Sequence, residues 1–255
     1  MPAAASTATP TPTATSVPTA SPAAVVTIVA VGDSVTSGFN CHCTAFPALY
    51  ARLLAIRDSI RTRAMNLGVP GLTTTTLLGD LTGTTTPERA IQDHVAGADI
   101  VVVTIGANDF FDEHDAITAG ACSGARRTTC TRDDLTTMTR TISRIVDQIR
   151  TLRVGAPTTI MLTGYWNVFE DGDVADRAFS EEGVASSVAL TKEANAGIRV
   201  DALAENAIYV DLYTVFEGAD SDKDPTGLLA LDGDHPDAAG HAAIARQLLA
   251  DTPRS

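Results

Sequence analysis

A chain of 255 residues with 44% apolar residues is long enough for one domain with a sizeable core. Its net charge of -13 argues against nucleic acid or an anionic membrane as a partner, because such a surface is repelled by polyanions. No uncharged apolar stretch of about 18 residues occurs, so we expect no membrane-spanning helix.

Residues 1–24 differ in composition from the rest of the chain. They hold five prolines and nine serines or threonines, and no charged side chain precedes Asp33. Too few apolar side chains are present to offset chain entropy, so we expect a disordered tail or linker, as in extracellular stalks. The alternative is an unstructured leader without a role. No secretory signal precedes Pro10, so an exported protein would have lost its signal from this sequence.

From residue 25 to residue 255 we predict one catalytic domain, in which short apolar runs alternate with longer helical patterns. This alternation is typical of a parallel sheet covered on both faces. The predicted strands, each expected to be central in the sheet, are residues 25–31, 61–67, 100–105, 158–162 and 207–212. The predicted helices are residues 47–56, 87–95, 133–152, 181–205 and a last one after His235 that Asp237 caps. The order predicts an α/β fold, a three-layer α/β/α sandwich around a parallel five-stranded sheet.

The four cysteines permit three pairings, and the sequence alone does not choose between them. We favour Cys122 with Cys130, which leaves Cys41 and Cys43 for each other. Metal binding at Cys41-His42-Cys43 is the alternative, but metal sites usually space their thiolates wider, so we predict no metal. An even cysteine number beside a Ser/Thr/Pro-rich tail indicates an oxidising compartment, and we expect a secreted or cell-surface protein.

Chemistry-bearing residues follow three of the predicted strands and recur near the end of the chain. Ser34 follows the first strand, Gly68 the second and Asn108 the third, and Asp232 and His235 precede the last helix. Because the carboxyl ends of parallel strands meet at one edge, we expect all five on one rim of the sheet. A serine hydroxyl becomes a nucleophile when an imidazole takes its proton and a carboxylate orients the imidazole. We assign these roles to Ser34, His235 and Asp232.

Acyl transfer also needs donors aimed at the developing oxyanion. We predict the backbone N–H groups of Ser34 and Gly68 and the side-chain amide of Asn108 for this role. Gly68 as a simple turn glycine is the alternative.

Three other carboxylates lie in the same loops. Asp234 is the alternative to Asp232 as the orienting group. We expect Asp33 and Asp109 to form turns and cap helices rather than to react.

Four sequence blocks, the three that follow the predicted strands and the one before the last helix, resemble those of the SGNH hydrolases, also called the GDSL esterase and lipase family. The family name lists the residues found here as Ser34, Gly68, Asn108 and His235. The family's Asp-x-x-His pair falls on Asp232 and His235. The resemblance implies a flavodoxin-like fold, ester hydrolysis through an acyl-enzyme on Ser34, a small-molecule or lipid ester as substrate, and no cofactor. The first block departs from the name, because it reads Gly-Asp-Ser-Val. The Gly-x-Ser-x-Gly turn of α/β-hydrolases is absent.

Several aromatic side chains follow the catalytic loops and are candidates for an acyl pocket, although core packing explains each one equally well. They are Phe39, Phe110, Phe111, Trp166 and Phe169. They favour acyl chains over acetyl groups on sugars. The alternatives are a carbohydrate acetylesterase acting on acetylated glycans and a secreted binding module without catalysis, against which the intact Ser34, Asp232 and His235 argue. We expect a monomer that binds no nucleic acid.

Overall fold

The computed structural model describes residue 1 and residues 25–254, so the predicted tail at residues 2–24 lies outside the described residues. A single sheet of five parallel strands has the order β2-β1-β3-β4-β5. The strands are β1 (Val25–Gly32), β2 (Arg61–Gly68), β3 (Ile100–Thr104), β4 (Thr159–Thr163) and β5 (Ile208–Val210). All five predicted strands are confirmed, and the order is that of flavodoxin-like folds.

The prediction that every strand is central is wrong for β2 and β5, which form the two edges of the sheet. Four of the eight residues of β2 are polar and none of its residues is buried, whereas all five residues of β3 are buried. β5 has only three residues and pairs with β4 alone. An edge strand needs less apolar surface because solvent reaches it, which explains the mixed composition of β2.

Helices cover the sheet. Their bounds are α1 (Ser34–Ser37), α2 (Phe46–Asp58), α3 (Thr74–Thr82), α4 (Thr86–Ala96), α5 (His114–Thr118), α6 (Ala125–Arg153), α7 (Gly172–Ala178), α8 (Glu181–Ala204), α9 (Leu212–Glu217) and α10 (Ala238–Asp251), with 3₁₀ helices at Ala107–Glu113 and Thr226–Leu228. The five predicted helices correspond to α2, α4, α6, α8 and α10. α2 packs against α10, and α6 packs against α3, α4 and α8. None of the described helices is both long and apolar enough to cross a membrane.

Five helices were not predicted, α3 and the short helices α1, α5, α7 and α9, and α6 begins earlier than predicted. α6 begins at Ala125, whereas the prediction began at Asp133. The earlier turns were missed because they hold polar residues and show no apolar stripe. α3 was not predicted, since its run of four threonines favours extended structure. Leu77, Leu78 and Leu81 nevertheless bury one face of α3 in the core, and this packing outweighs the weak local preference.

Both favoured disulfides are present, Cys122–Cys130 and Cys41–Cys43, and the described residues include no free cysteine. Cys122–Cys130 ties the segment before α6 to the second turn of that helix. The sulfurs of Cys41 and Cys43 lie near the buried imidazole of His241. Because the two sulfurs are bonded to each other, they offer no thiolate to a metal ion.

Candidate active site

The strand register brings three loops to one level at the carboxyl edge of the sheet. Gly32, the last residue of β1, pairs with Gly68 on one side and with Thr104 on the other. A Cβ at Gly32 would lie 1.9 Å from the Thr104 carbonyl oxygen, and its φ is +141°, so only glycine fits this close approach. The loops after β1 and β3 therefore diverge at the point where the strand order reverses, which is the usual ligand position in open α/β sheets.

Ser34 is the first residue of α1, directly after that turn. The Asp33 side chain caps the helix by accepting a 3.0 Å hydrogen bond from the Val35 N–H, as predicted for this residue. The Ser34 N–H donates no hydrogen bond to another described residue. Ser34 thus presents a hydroxyl and an unpaired N–H at the edge where the loops meet.

The buried carboxyl group of Asp33, next to Ser34 in the chain, has a second hydrogen-bond partner. The Tyr165 hydroxyl donates to the other carboxylate oxygen of Asp33, and both side chains are buried. Burial raises the pKa of Asp33 to about 7, although the hydrogen bonds from Tyr165 and Val35 act in the opposite direction. A carboxyl group that titrates near neutrality therefore supports the turn that carries Ser34.

His235 lies near the end of the chain, after the 3₁₀ helix at Thr226–Leu228, and makes the contact predicted with Asp232. Its Nδ1 lies 2.8 Å from Asp232 Oδ2, and Asp232 Oδ1 accepts 3.1 Å hydrogen bonds from the N–H groups of Asp234 and His235. Asp234 Oδ2 is 3.5 Å from the same ring nitrogen, so Asp232 is the closer partner. The local turn explains this geometry, because a spacing of three residues lets one carboxylate reach both the backbone and the ring.

The two carboxylates differ in their readiness to ionise. Burial raises the pKa of Asp232, but hydrogen bonds from Asn40 and His235 outweigh burial and hold it below its ordinary value. Burial raises the pKa of Asp234 to about 6, and the neighbouring Asp232 and Glu170 carboxylates add to this. Asp232 is therefore the partner that stays charged and can stabilise an imidazolium ion.

Two contacts join the segment after Ser34 to the segment around His235. The Asn40 side-chain amide donates to Asp232 Oδ2 over 2.5 Å, and the Phe39 ring meets the His235 ring edge-on with centroids 5.0 Å apart. A hydrogen bond from the Ser34 hydroxyl to the imidazole is not among the contacts of the described residues. The predicted nucleophile and base are thus linked through their neighbours.

Gly68 lies against the nucleophile helix. A Cβ at Gly68 would lie 2.3 Å from the Ser37 nitrogen, so glycine is needed for this packing. Its N–H donates to Asn66 Oδ1 at 3.0 Å, and Asn66 Nδ2 in turn donates to the Thr36 carbonyl at 2.7 Å. The Gly68 N–H therefore already has an acceptor.

Gly71 lies three residues further along, in the turn that Leu72 N–H closes on the Val69 carbonyl at 3.2 Å. Pro70 followed by Gly71 at φ +78° is the pattern of a type II turn. The Gly71 N–H donates to no other described residue. Asn108 Nδ2 donates to the Leu72 carbonyl at 3.1 Å, which ties this turn to the loop after β3.

Asp109 binds the start of α3, a helix distant in sequence whose own N-cap is Thr73. It accepts hydrogen bonds from the N–H and the hydroxyl of Thr74, the first residue of α3, at 2.9 and 2.5 Å. The neighbouring Asn108 is held in place by this anchoring.

Two cavities adjoin Asn108 and share its side chain and that of Phe111. The larger, of about 540 Å³, is lined by Gly71, Thr73, Thr75, Asn108, Asp109, Phe111, Asp112, Asp134 and Thr137. The smaller, of about 340 Å³, is lined by Ala107, Asn108, Phe111, His114, Val168, Phe169, Glu170 and Asp234. The residues that line the larger cavity are mainly polar or acidic, and the smaller cavity adds Phe169 to the Phe111 side chain that both cavities share.

A family model described as the GDSL-like Lipase/Acylhydrolase family matches residues 30–243. The chain belongs to this family. The resemblance drawn from the four sequence blocks is thereby confirmed, and the protein is a member of a group of ester hydrolases. A search of curated proteins gives no match.

Solved structures of lipases and esterases share the fold of this GDSL-family protein. A lipase from a goat rumen metagenome has 19% identity and a TM-score of 0.69, covering 90% of this chain and 98% of that chain. An extracellular lipase from Streptomyces rimosus has 21% identity and a TM-score of 0.62, covering 89% and 100%. A catalytic mutant of an acetylxylan esterase from Geobacillus stearothermophilus has 19% identity and a TM-score of 0.61, covering 90% and 95%. At these identities the likeness shows the fold.

The aromatic side chains predicted for a pocket of this GDSL-family protein are divided between the cavities and the core. Phe111, 73% exposed, and Phe169 line the cavities, and Phe39 lies beside His235. Phe110 and Trp166 are instead buried in the core, where Trp166 stacks on Phe216 with ring centroids 4.2 Å apart. They are hydrophobic side chains whose position in a loop after a strand did not reveal on which side of it they pack.

Four residues that shape the site were not singled out from the sequence. Asn40, Asn66, Gly71 and Tyr165 act through contacts with residues distant in the chain or through backbone shape. Only Gly71 had a local signal, because Pro-Gly is typical of a tight turn.

Proposed function

We propose that this GDSL-family hydrolase cleaves carboxylic esters through an acyl-enzyme on Ser34, with His235 as the base and Asp232 as the orienting carboxylate. The observation that carries the proposal is the 2.8 Å contact between Asp232 and His235 Nδ1, at the same edge of the sheet as Ser34. The paired carboxylate fixes the proton on Nδ1 and leaves Nε2 free to accept one.

In the proposed first step His235 takes the Ser34 hydroxyl proton while Oγ bonds to the ester carbonyl carbon. The tetrahedral intermediate then collapses, the bond to the alcohol breaks, and the imidazolium returns the proton to the leaving oxygen. Water repeats the sequence on the acyl-enzyme, with His235 again as the base, and releases the acid. Asp232 stabilises the imidazolium ion in both half-reactions.

The oxyanion donors of the proposal are the Ser34 N–H, the Asn108 side-chain amide and one N–H from the loop after β2. Gly68 is the predicted source of the third donor, but its N–H already bonds to Asn66. The Gly71 N–H has no acceptor among the described residues, and Gly71 lines the larger cavity beside Asn108. We therefore favour Gly71. Loss of one such donor typically raises the barrier by about 3 to 4 kcal/mol.

The two cavities support a division of the ester between them. Phe169, which lines the smaller cavity and not the larger, favours the acyl group in the smaller cavity, and the burial of Phe110 and Trp166 in the core favours a short chain. The larger cavity would take the alcohol. Its aspartates Asp112 and Asp134 disfavour an alcohol with a negative charge, such as a phosphorylated headgroup.

A carbohydrate acetylesterase is the second candidate function. It is favoured by the threonines Thr73, Thr75 and Thr137 in the larger cavity, because their hydroxyl groups can form hydrogen bonds with the hydroxyl groups of a sugar but not with the chain of an aliphatic alcohol. Activity on p-nitrophenyl esters of increasing acyl length, beside release of acetate from an acetylated polysaccharide, separates the two candidates. A preference for acyl chains longer than acetyl supports the esterase, and acetate release alone supports the glycan enzyme.

The decisive test of the catalytic assignment is Ser34→Ala. We expect the variant to lose turnover of p-nitrophenyl butyrate and labelling by a serine-directed phosphonate, while its circular dichroism spectrum and melting temperature stay those of the wild type. A variant that is folded and still turns over the ester would refute the assignment.

We further propose that the protein is exported, because two disulfides are stable in an oxidising compartment. Action as a monomer without a cofactor, in a domain spanning residues 25–255 with a disordered tail, stays a prediction.

A further inference from the structure

The segment of residues 38–44, here named the bridging loop, runs from the end of α1 to the start of α2. Gly38, Asn40 and His42 all have left-handed backbone, with φ values of 78°, 56° and 48°. The N–H groups of Gly38 and Phe39 both donate to the Ser34 carbonyl at 3.1 Å. The bridging loop is therefore a compact turn that is tied directly to the nucleophile residue.

The Cys41–Cys43 disulfide closes this loop immediately after Asn40. A ring of so few residues leaves the backbone little freedom. The loop also packs closely at its start, since a Cβ on Gly38 would lie 2.8 Å from the Ala45 Cβ. The Asn40 side chain is thus presented from a rigid base.

Asn40 completes the hydrogen bonding of the Asp232 carboxylate. Three donors to Asp232 come from its own loop: the N–H groups of Asp234 and His235 and the His235 ring. The fourth is Asn40 Nδ2, which comes from a segment 192 residues away in sequence. A carboxylate accepts about four hydrogen bonds, so this arrangement fills its capacity.

The chemistry of an asparagine fits this position in two ways. Asparagine tolerates left-handed backbone better than most residues, which the φ of Asn40 requires. Its amide is also a donor that carries no charge, so it favours the ionised carboxylate of Asp232 without competing as a cation for the imidazole. An aspartate would instead place a second negative charge against Asp232.

We propose that Asn40 is a positioning residue that fixes the Asp232–His235 pair relative to Ser34. Through Asn40, the segment that begins with the nucleophile holds the carboxylate that orients the base. Phe39, edge-on to the His235 ring, restricts the imidazole from the same loop. The inference rests on the proposed triad and extends it by naming the contact that couples its two halves.

The test compares Asn40→Gly with His42→Gly as a matched control. Both replace a left-handed residue of the bridging loop by glycine, and the His42 side chain is exposed. We expect Asn40→Gly to lower kcat on p-nitrophenyl butyrate about 10-fold with little change in KM, because it removes a hydrogen bond to a charged group. His42→Gly should keep the wild-type rate.

The pH profile gives a readout that a purely structural role would not move. Without the Asn40 donor, Asp232 attracts the imidazolium ion more strongly, so the acidic limb of kcat/KM should move to higher pH. Asn40→Asp, in which a side chain of similar size carries a negative charge, should move the acidic limb further in the same direction. Equal rates and equal acidic limbs in Asn40→Gly and His42→Gly would overturn the proposal.

Folding and the proposed function are controlled separately. Should Asn40→Gly fail to fold, Asn40→Asp alone decides, and an unshifted acidic limb in that variant overturns the proposal. Absence of phosphonate labelling on wild-type Ser34 would remove the triad itself. Labelled, active wild-type enzyme with an unaffected Asn40→Gly variant would remove only the positioning role.

Discussion

The nucleophile and the base of the proposed triad are held in different ways. Around Ser34, the residues Asp33, Val35 and Thr36 are buried, and Gly32 lies directly against β3. The Asp232–His235 segment is a local turn held by hydrogen bonds, among them Ala230 N–H to the His235 carbonyl at 2.7 Å, with His235 buried and Asp232 partly exposed. The first region is built into the core, whereas the second is a local turn docked on it.

This difference teaches where substitutions should act. Changes beneath Ser34 disturb close-packed core and should first lower stability, because protein interiors have little room to relax. Changes in the Asp232–His235 loop leave the core intact and should first lower activity. Each prediction below tests one side of this comparison.

The largest effect is expected for Gly32→Ala on the core side. The added Cβ would lie 1.9 Å from the Thr104 carbonyl oxygen at a φ that alanine rarely adopts, so we expect no folded protein to be recovered. Gly79→Ala is the control, since a Cβ there meets no atom within 4 Å and the site is inside α3. It should gain about 0.5 to 1 kcal/mol of unfolding free energy. Urea denaturation and expression yield measure both; a folded Gly32→Ala protein would contradict the comparison.

On the base side, Asp232→Asn should lower kcat about 10⁴-fold on a p-nitrophenyl ester. The amide cannot stabilise the imidazolium ion and fixes the wrong ring tautomer. The matched variant Asp234→Asn should lower kcat far less, because Asp234 is the more distant carboxylate at 3.5 Å. Steady-state kinetics on both variants decides, and a larger loss in Asp234→Asn would exchange the two roles.

The same two regions should respond to pH in opposite windows. The pKa of buried Asp33 is raised to about 7, so its favourable protonated form is fully present below about pH 4 and is lost as pH rises through 7. The pKa of Asp232 is lowered, so its contribution is present above its unfolded value and is lost only as pH falls through its folded value. We expect the unfolding free energy to fall between pH 4 and 8 by up to about 4 kcal/mol through Asp33.

Urea unfolding at a series of pH values measures this dependence for the wild type and Asp33→Asn. The amide keeps an acceptor for the Val35 N–H but does not titrate, so the slope between pH 4 and 8 should decrease in the variant. An unchanged slope would show that Asp33 is not the group responsible. The buried Asp234 and Glu217, with pKa values raised to about 6 and about 8, contribute to the slope that remains, as do other carboxyl groups whose pKa burial raises, such as Asp171.

The smallest effects are expected for loss of the two disulfides, and their order should cross: the disulfide whose loss lowers stability more should lower activity less. By loop length, Cys122→Ser/Cys130→Ser should lose about 2 to 3 kcal/mol of stability and Cys41→Ser/Cys43→Ser about 1 to 2. Activity should show the reverse order, because Cys41 and Cys43 hold the loop that carries Asn40. Thermal unfolding and kcat measured on both double variants test the crossing. A drop in kcat confined to the Cys122/Cys130 variant would refute it.

Much of this architecture could be read from the sequence because its central strands are apolar runs and its motifs are local. The Asp232–His235 contact needs only a turn of three residues, and the Gly32-Asp33-Ser34 turn ends an apolar strand. The start of α6 and the existence of α3 were missed, since their polar or threonine-rich residues carry weak local preferences that packing outweighs. Phe110 and Trp166 were placed in the pocket because the side of a loop on which an aromatic ring packs is not encoded locally.

By itself the sequence determined the family, the parallel sheet and the residues offered for catalysis, whereas it left the cysteine pairing open. These depend on periodicity and on short spacings that survive without long-range contacts. Only the tertiary structure decided which strands are edges, that Gly68 packs against α1 while the Gly71 N–H finds no acceptor among the described residues, and that Asn40 reaches Asp232 across 192 residues. Such contacts arise between segments whose meeting is set by the packing of the whole core, which no local pattern specifies.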